Sequence, residues 1–500
     1  MDVNRRVVLK GLAALFAAVG LPAWASTELL SHDQPAPLTN HLFFSSNSSN
    51  SSAASSARAD AVHLLNRIAY GPTTAELARV QQIGVIAYLA EQLQPDKLDD
   101  SMVEQQLAAL PTLVMRNAEL LNQDPQQVML ELEQAAVLRA LYSRRQLQEV
   151  LVDFWSNHFN IFSGKGQCRF FKTTDDRETI RPHVLGRFRD LLGASAQSSA
   201  MLFFLDNQLN RREAPNENYA RELMELHTLS VDGGYTEADV QAVARCFTGW
   251  TIRNGDFFFA PRQHDTTQKQ VLGVTIPAGR GLQDGEQVLD LLASHPSTAH
   301  FIATKLCRRF VTDTPPDDLV QRIAQVFQTT DGDLRRVMRA ILTAPEFMMA
   351  KHQKFRRPAE FVLAAARALG AETDGKPLVL QIRQLGQRFF GEPAPNGYPD
   401  VTAAWLNTSA MLGRWNFALL LASGRLPDVH VDLSELTNEA NLIEVAGKLV
   451  AALLPGHTTD PLSAALVDLL GHAPGETAFG QPQIGVVAGL LLAAPLFQWH

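Results

Sequence analysis

NENYARELMELHTLSVDGGYTEADVQAVARCFTGW, from Asn216 to Trp250, is the stretch whose reading decides the fold class. It reads as two amphipathic helices joined by a tight turn. Asn216 takes the cap position of the first, its side chain placed to accept from a free amide of the opening turn. At about 100° per residue, Tyr219, Ala220, Leu223, Leu226 and His227 share one face while Glu217, Arg221 and Glu225 share the other. Arg221 is therefore expected to pair with Glu217 and Glu225, each one turn away. Asp232, Gly233 and Gly234 supply the turn, and Thr236 with Asp239 forms a capping box that opens the second helix.

The same periodicity governs most of the chain, and convincing strands are few. HLLNRIAYGP from His63 is a helix stopped by Gly71 and Pro72, on which His63 and Arg67 share a face. A second, longer pattern carries Leu151, Phe154, Trp155, His158 and Phe162 on one stripe, with Asn157 and Asn160 facing elsewhere to hold the following turn. Asn254-Gly255 between two short β-prone runs predicts a two-residue hairpin. Pro296 fits the first turn of a new helix. The expected fold is mostly α: a multi-helical globular domain with a small β-hairpin insertion.

The chain has a formal net charge of -8, with 52 acidic against 44 basic residues, which argues against general nucleic-acid binding. Residues 1–25 read as a twin-arginine-type signal peptide: Arg5 and Arg6, an apolar run from Gly11 to Val19, and Ala23-Trp24-Ala25 as the small-x-small cleavage site. The expected destination is periplasmic or secreted, the expected partner on the way is the twin-arginine export machinery, and no stable membrane span remains after cleavage. Export in a folded state suits a protein with a bound metal or cofactor, a fast folder, or a passenger on a partner. Residues 26–60, rich in Ser and Asn, form a linker. Residues 61–500 form the folded domain, with a subdivision near 350 left open. Cys168, Cys246 and Cys307 imply no disulfide framework, although a single Cys168 to Cys307 bridge after export stays open.

Chemistry has to be sought in clusters, because the common motifs are missing. There is no nucleophile elbow, dinucleotide fingerprint, phosphate loop or H-E-x-x-H. On a regular helix Glu222 and His227 diverge by about 140° and Glu225 and His227 by about 160°, so neither pair grips one ion. A metal would have to draw His158, His227 and His264 from separate segments. His264 beside Asp265 is a candidate acid/base or ligand pair, with Lys269 placed to bind an anion.

NENYARELxELHTL with DGGY and FTGW, FWSNHFN from Phe154, HDxxxK from His264, HPSTA from His295, RRPAEF from Arg356, GQxxF from Gly386 and NGYP from Asn396 together resemble the bacterial DUF1800 family. The resemblance runs from about His63 to the C-terminus, departing at Tyr398, where Trp is expected, and at His300, where Arg is expected. It implies an exported protein with no established activity, encoded beside exported DUF1501-like proteins, one of which is then a candidate partner. Two readings follow. In the first the chain is a metal- or cofactor-dependent enzyme with a cleft lined by Glu217, Arg221, Glu222, His227, His158, His264 and Asp265. In the second it is a non-catalytic binding or assembly protein in which those residues form a structural network. Convergence of the three histidines in an open cleft supports the first; dispersal or full burial supports the second.

Overall fold

Local signals set several helix boundaries. Thr73 and Glu76 close a reciprocal capping box, with Glu76 N donating to Thr73 Oγ1 at 3.2 Å and Thr73 N to Glu76 Oε2 at 3.1 Å. Asp124 accepts from the amides of Gln126 and Gln127, and Pro125 then starts an 18-residue helix ending at Tyr142. His295 caps the helix Pro296–Phe310, which Pro296 opens as expected. The computed structural model describes residues 49–434, 442–455 and 481–500. The expected signal segment and the linker as far as residue 48 lie outside the described residues. The first described helix, Ser49–Ile68, begins well before His63, where the sequence pattern placed it.

The architecture is the expected mostly α one, with the strands confined to three two-stranded antiparallel sheets among the described residues. Trp250–Arg253 pairs with Asp256–Phe259 in the register Trp250↔Phe259 to Arg253↔Asp256. Asn254 and Gly255 turn the hairpin with φ of 56° and 93°, the doubly positive backbone that this dipeptide favours. A second hairpin pairs Lys269–Val271 with Val274–Ile276.

The helix Pro358–Ala368 begins within the RRPAEF motif and is deeply seated. Every residue from Pro358 to Arg367 is buried. Its small side chains permit this: Gly71, at φ 88°, approaches so closely that a Cβ there would lie 3.1 Å from that of Ala364. Arg367 is buried because Gly71, Ala140 and Leu141 supply carbonyls and Glu76 a carboxylate. Around this helix pack Pro125–Tyr142, Lys376–Gln384 and Thr408–Ala422. One hydrophobic cluster extends from Ala61 to Phe497 and includes residues on both sides of position 350. A smaller cluster around Val103, Leu107 and Met129 lies under the Ser101–Leu107 helix.

Among the described residues, two helices pass into π geometry. Asp175–Ile180 continues the helix Cys168–Thr174, and Leu223–Thr228 continues Asn218–Glu222. Leu229 N donates to Met224 O at 2.7 Å, five residues back. The wider turn aligns residues four apart, so Tyr219, Leu223 and His227, and beside them Ala220, Met224 and Thr228, are the buried set. Leu226, expected on that face, is only half-buried.

Candidate functional site

The central hairpin forms as the sequence indicates, but its charged residues lie on the outside. Asn216 Oδ1 accepts from Asn218 N at 2.9 Å, and Thr236 with Asp239 makes the expected box. Arg221 pairs with Glu217 at 3.2 Å, yet its second partner is Glu237 at 2.6 Å, across the hairpin, and not Glu225. The hydrogen bond to Glu237 raises the Arg221 guanidinium pKa, and partial burial beside Glu225 raises that of the Glu222 carboxyl. Glu217 and Arg221 therefore belong to a solvated ion-pair surface, with half-buried Glu222 beside them outside the pairs.

His158 and His227 do converge, with ring centroids 6.1 Å apart and both side chains only 1% exposed. His158 Nε2 donates to the His227 carbonyl at 3.1 Å. His158 Nδ1 and both His227 ring nitrogens have no hydrogen-bond partner. Burial, reinforced by the Lys305 cation, lowers the His227 pKa to about 3 and that of His158 well below its ordinary value. The rings are neutral elements of an aromatic core with Trp155, Phe159 and Phe301.

His264 stands elsewhere. Its Nδ1 donates to the Thr248 carbonyl at 2.8 Å, and its Nε2 lies 3.1 Å from Asp284 Oδ2. Lys269 Nζ reaches the same oxygen at 2.6 Å, and all three side chains are fully buried. Lys269 is thus the counterion of a buried carboxylate and does not wait for an anion. Asp265 turns away from its neighbour and pairs with Arg245 at 2.7 Å. Partial burial opposes its charge, but hydrogen bonds from Arg245 and Thr267 hold the carboxyl below its usual range. Adjacent residues on an extended segment point in opposite directions, which separates His264 from Asp265. Among the described residues no group of three or more His, Cys, Asp and Glu could hold a metal ion, so His158, His227 and His264 do not form a common ligand set. The three cysteines are buried free thiols, Cys168 and Cys307 unbridged.

One pocket among the described residues is built from other side chains. A small, half-open pocket of about 40 Å³ lies over the polar face of the helix Gln146–His158. Glu149, Asp153, Ser156, Asn157 and Asn160 recur at spacings of three and four, opposite the stripe that carries Trp155 and His158. Arg181 reaches in beyond the π turn, donating to Glu149 at 2.9 Å and to Asp176 at 2.6 Å. Burial disfavours the charge on Asp176, but Arg181 and Arg139 outweigh it and lower its pKa. Arg357 enters from the RRPAEF motif and bridges Asp153 to Glu360, at 3.1 Å from the latter.

The remaining wall is the segment 387–398, clamped down on the same helix. Asn157 accepts from Tyr398 N at 2.8 Å and donates to its carbonyl at 2.9 Å. Asn160 donates to the carbonyls of Glu392 and Ala394, so both amides hold this distant loop and not the turn next to them in sequence. Gly397, at φ 74°, is required: a Cβ would lie 2.3 Å from the Asn157 carbonyl oxygen. Phe390 adopts a left-handed φ of 55°, an unusual strain for a bulky residue, while its carbonyl accepts from Ser163 N at 2.9 Å. Four motifs of the sequence analysis, FWSNHFN, RRPAEF, GQxxF and NGYP, thus meet at one pocket.

Every carboxylate lining this pocket is engaged by an arginine: Glu149 and Asp176 by Arg181, and Asp153 by Arg357. Ser156 differs. It is 6% exposed, lines the pocket, and its hydroxyl has no hydrogen-bond partner. No base lies within hydrogen-bond reach of this hydroxyl.

A model of the family described as protein of unknown function (DUF1800) matches residues 63–499. No curated protein and no solved structure matches the chain.

Proposed function

Because this chain belongs to the DUF1800 family, whose description names no activity, we propose its role from the site itself: it is an exported binding protein whose ligand seat is the pocket over Ser156. The carrying observation is that the charged groups of the pocket pair with one another, while the buried hydroxyl of one lining residue, Ser156, is left without a partner. Ion pairs locked in this way give a rigid polar surface, pre-organised for recognition. The distribution of the other candidates supports the same reading. His158 and His227 are buried in the aromatic core, His264 is buried against Asp284, and Arg221 with its carboxylates is on the surface. Export is supported by Arg5-Arg6, the apolar run after them and Ala23-Trp24-Ala25. No helix among the described residues is long and apolar enough to cross a membrane.

The test is to purify the natively exported protein, denature it, and identify released small molecules by mass spectrometry beside the Ser156→Met variant, whose longer side chain fills the pocket. A compound released by the wild type and missing from the folded variant supports the reading. The same compound released by both, or none by either, overturns it.

A further inference from the structure

We infer that Lys269 and Asp284 condense into an intramolecular isopeptide bond, Nζ to Cγ, with His264 carrying the proton, so that the folded protein crosslinks itself. These three residues are not among those lining the pocket over Ser156, and the two readings fail independently.

Lys269 closes the HDxxxK motif on the strand Lys269–Val271, and Asp284 sits in the first turn of the helix Gln283–Ser294, fifteen residues on. The pairing of Lys269 with Ile276 and a hydrogen bond from Asp284 N to the Gly281 carbonyl at 3.0 Å fix the two backbones. Nζ is thereby brought to 2.6 Å from Asp284 Oδ2, and the side chains of Lys269, Asp284 and His264 are all 0% exposed. Aromatic rings close the surroundings. Phe259 lies edge-on to His264 at 5.4 Å between centroids, and Trp250 and Phe247 press on Gly285 so closely that a Cβ there would lie 2.5 Å and 3.1 Å from them.

The protons set this pair apart from an ordinary buried ion pair. Thr248 Oγ1 donates to the Arg245 carbonyl at 2.7 Å, so toward His264 Nδ1, 3.2 Å away, it can only accept. The Thr248 carbonyl is a second acceptor for that nitrogen, at 2.8 Å. Nδ1 therefore carries a proton, and in a neutral ring Nε2 is a lone pair. That lone pair lies 3.1 Å from Asp284 Oδ2, a contact that requires a proton between the two atoms. Asp284 Oδ1, on the other side, is buried without any partner. A carboxylate with one undonated oxygen is costly to hold in such surroundings, and transfer of a proton from the Lys269 ammonium to Oδ2 removes both charges at once. What remains is an amine beside an uncharged carboxyl, the two reactants of amide formation, held in contact and away from water.

In the condensation the Nζ lone pair adds to Cγ and the C–N bond forms. A proton from Nζ passes to His264 Nε2 and on to Oδ2, and the Cγ–Oδ2 bond breaks with Oδ2 leaving as water. Of the three ammonium protons, two leave in that water and one stays on the amide nitrogen, and no further reactant is consumed. Oδ1 becomes a neutral amide oxygen. The bond ties the second hairpin to the helix Gln283–Ser294 across a fifteen-residue separation and so restricts the unfolded chain.

The experiment is the intact mass of the purified mature protein under denaturing conditions, beside Lys269→Arg, with a tryptic map that also reads the N-terminus. The wild type is expected to weigh one water, about 18 Da, less than the sum of its residues, and Lys269→Arg, whose guanidinium stays protonated, to show its full mass. Trypsin does not cut after an acylated lysine, so the wild-type map should contain a branched peptide joining residues 263–280 to 281–305. Circular dichroism verifies that the variants are folded. A wild type of full mass overturns the inference without reference to any variant. A water loss that persists in Lys269→Arg is an aspartyl succinimide at Asp284-Gly285, and it overturns the crosslink as well. Folded His264→Gln should retain its full mass in most molecules; complete crosslinking in it overturns the proton-carrying role of His264.

Discussion

Acidification should unfold this protein through its buried histidines, and His227 permits a quantitative test. In the folded chain burial and Lys305 lower its pKa to about 3, from an ordinary 6.5. Between those values the unfolded chain takes up a proton that the folded chain refuses. The stabilisation from keeping the ring neutral is therefore complete above the unfolded pKa and declines as the pH falls below it. At about pH 5 the loss is RT ln(1 + 10^1.5), or about 2 kcal/mol per ring, and it changes little for any folded pKa below about 4. His63, also lowered to about 3 by burial and Arg67, contributes a similar amount. His158 and His500, both lowered well below the ordinary value, add to the same trend. The assay is urea unfolding of wild type and His227→Gln at about pH 8 and about pH 5, with the free-energy difference between the two conditions compared across the pair. Whatever His227→Gln costs at the higher pH, its loss on acidification should be about 2 kcal/mol smaller than that of the wild type. An identical loss in both proteins would refute the claim that neutrality of this ring is enforced by its burial.

Three further outcomes are expected from the same geometry. Lys269→Met should destabilise by about 3–5 kcal/mol in denaturant unfolding, because it strands the buried Asp284 carboxylate; Arg221→Ala, whose two ion pairs are solvated, should leave the midpoint within error. Gly397→Ala should release the 391–400 loop from Asn157, seen as accelerated proteolytic nicking there and a stability loss of at least about 1–2 kcal/mol, and unchanged nicking would contradict the close approach. Burial pushes Cys168, Cys246 and Cys307 up to about 12, so a thiol reagent should label none in the native protein and three after denaturation. Rapid native labelling of any of them would mean that its surroundings open far more readily than the packing implies.

What could be read from the chain alone was whatever depends on neighbours in sequence. The Thr236 capping box, the Asn254-Gly255 hairpin, Pro296 at a helix start and the Arg221–Glu217 pair all involve residues within four of one another, and all are present. Helical periodicity settled the mostly α class for the same reason. Partners distant in sequence were chosen by the tertiary structure. Arg221 took Glu237 over Glu225, because the hairpin turn brings the second helix beside the first and the π turn rotates the residues beyond Glu222. His264 took Asp284, twenty residues on, over the adjacent Asp265, because consecutive side chains on extended backbone diverge. The pocket is the clearest case. Glu149, Asp153, Ser156, Asn157 and Asn160 form a polar stripe that, in sequence, is indistinguishable from a solvated helix face, while the stripe with His158 draws the eye to the core. Only the docking of residues 387–398, with arginines arriving from positions 181 and 357, encloses that stripe and gives its carboxylates and amides partners. Periodicity records which residues share a face; whether water or another segment covers that face is decided by long-range packing, and that is where the candidate site resides.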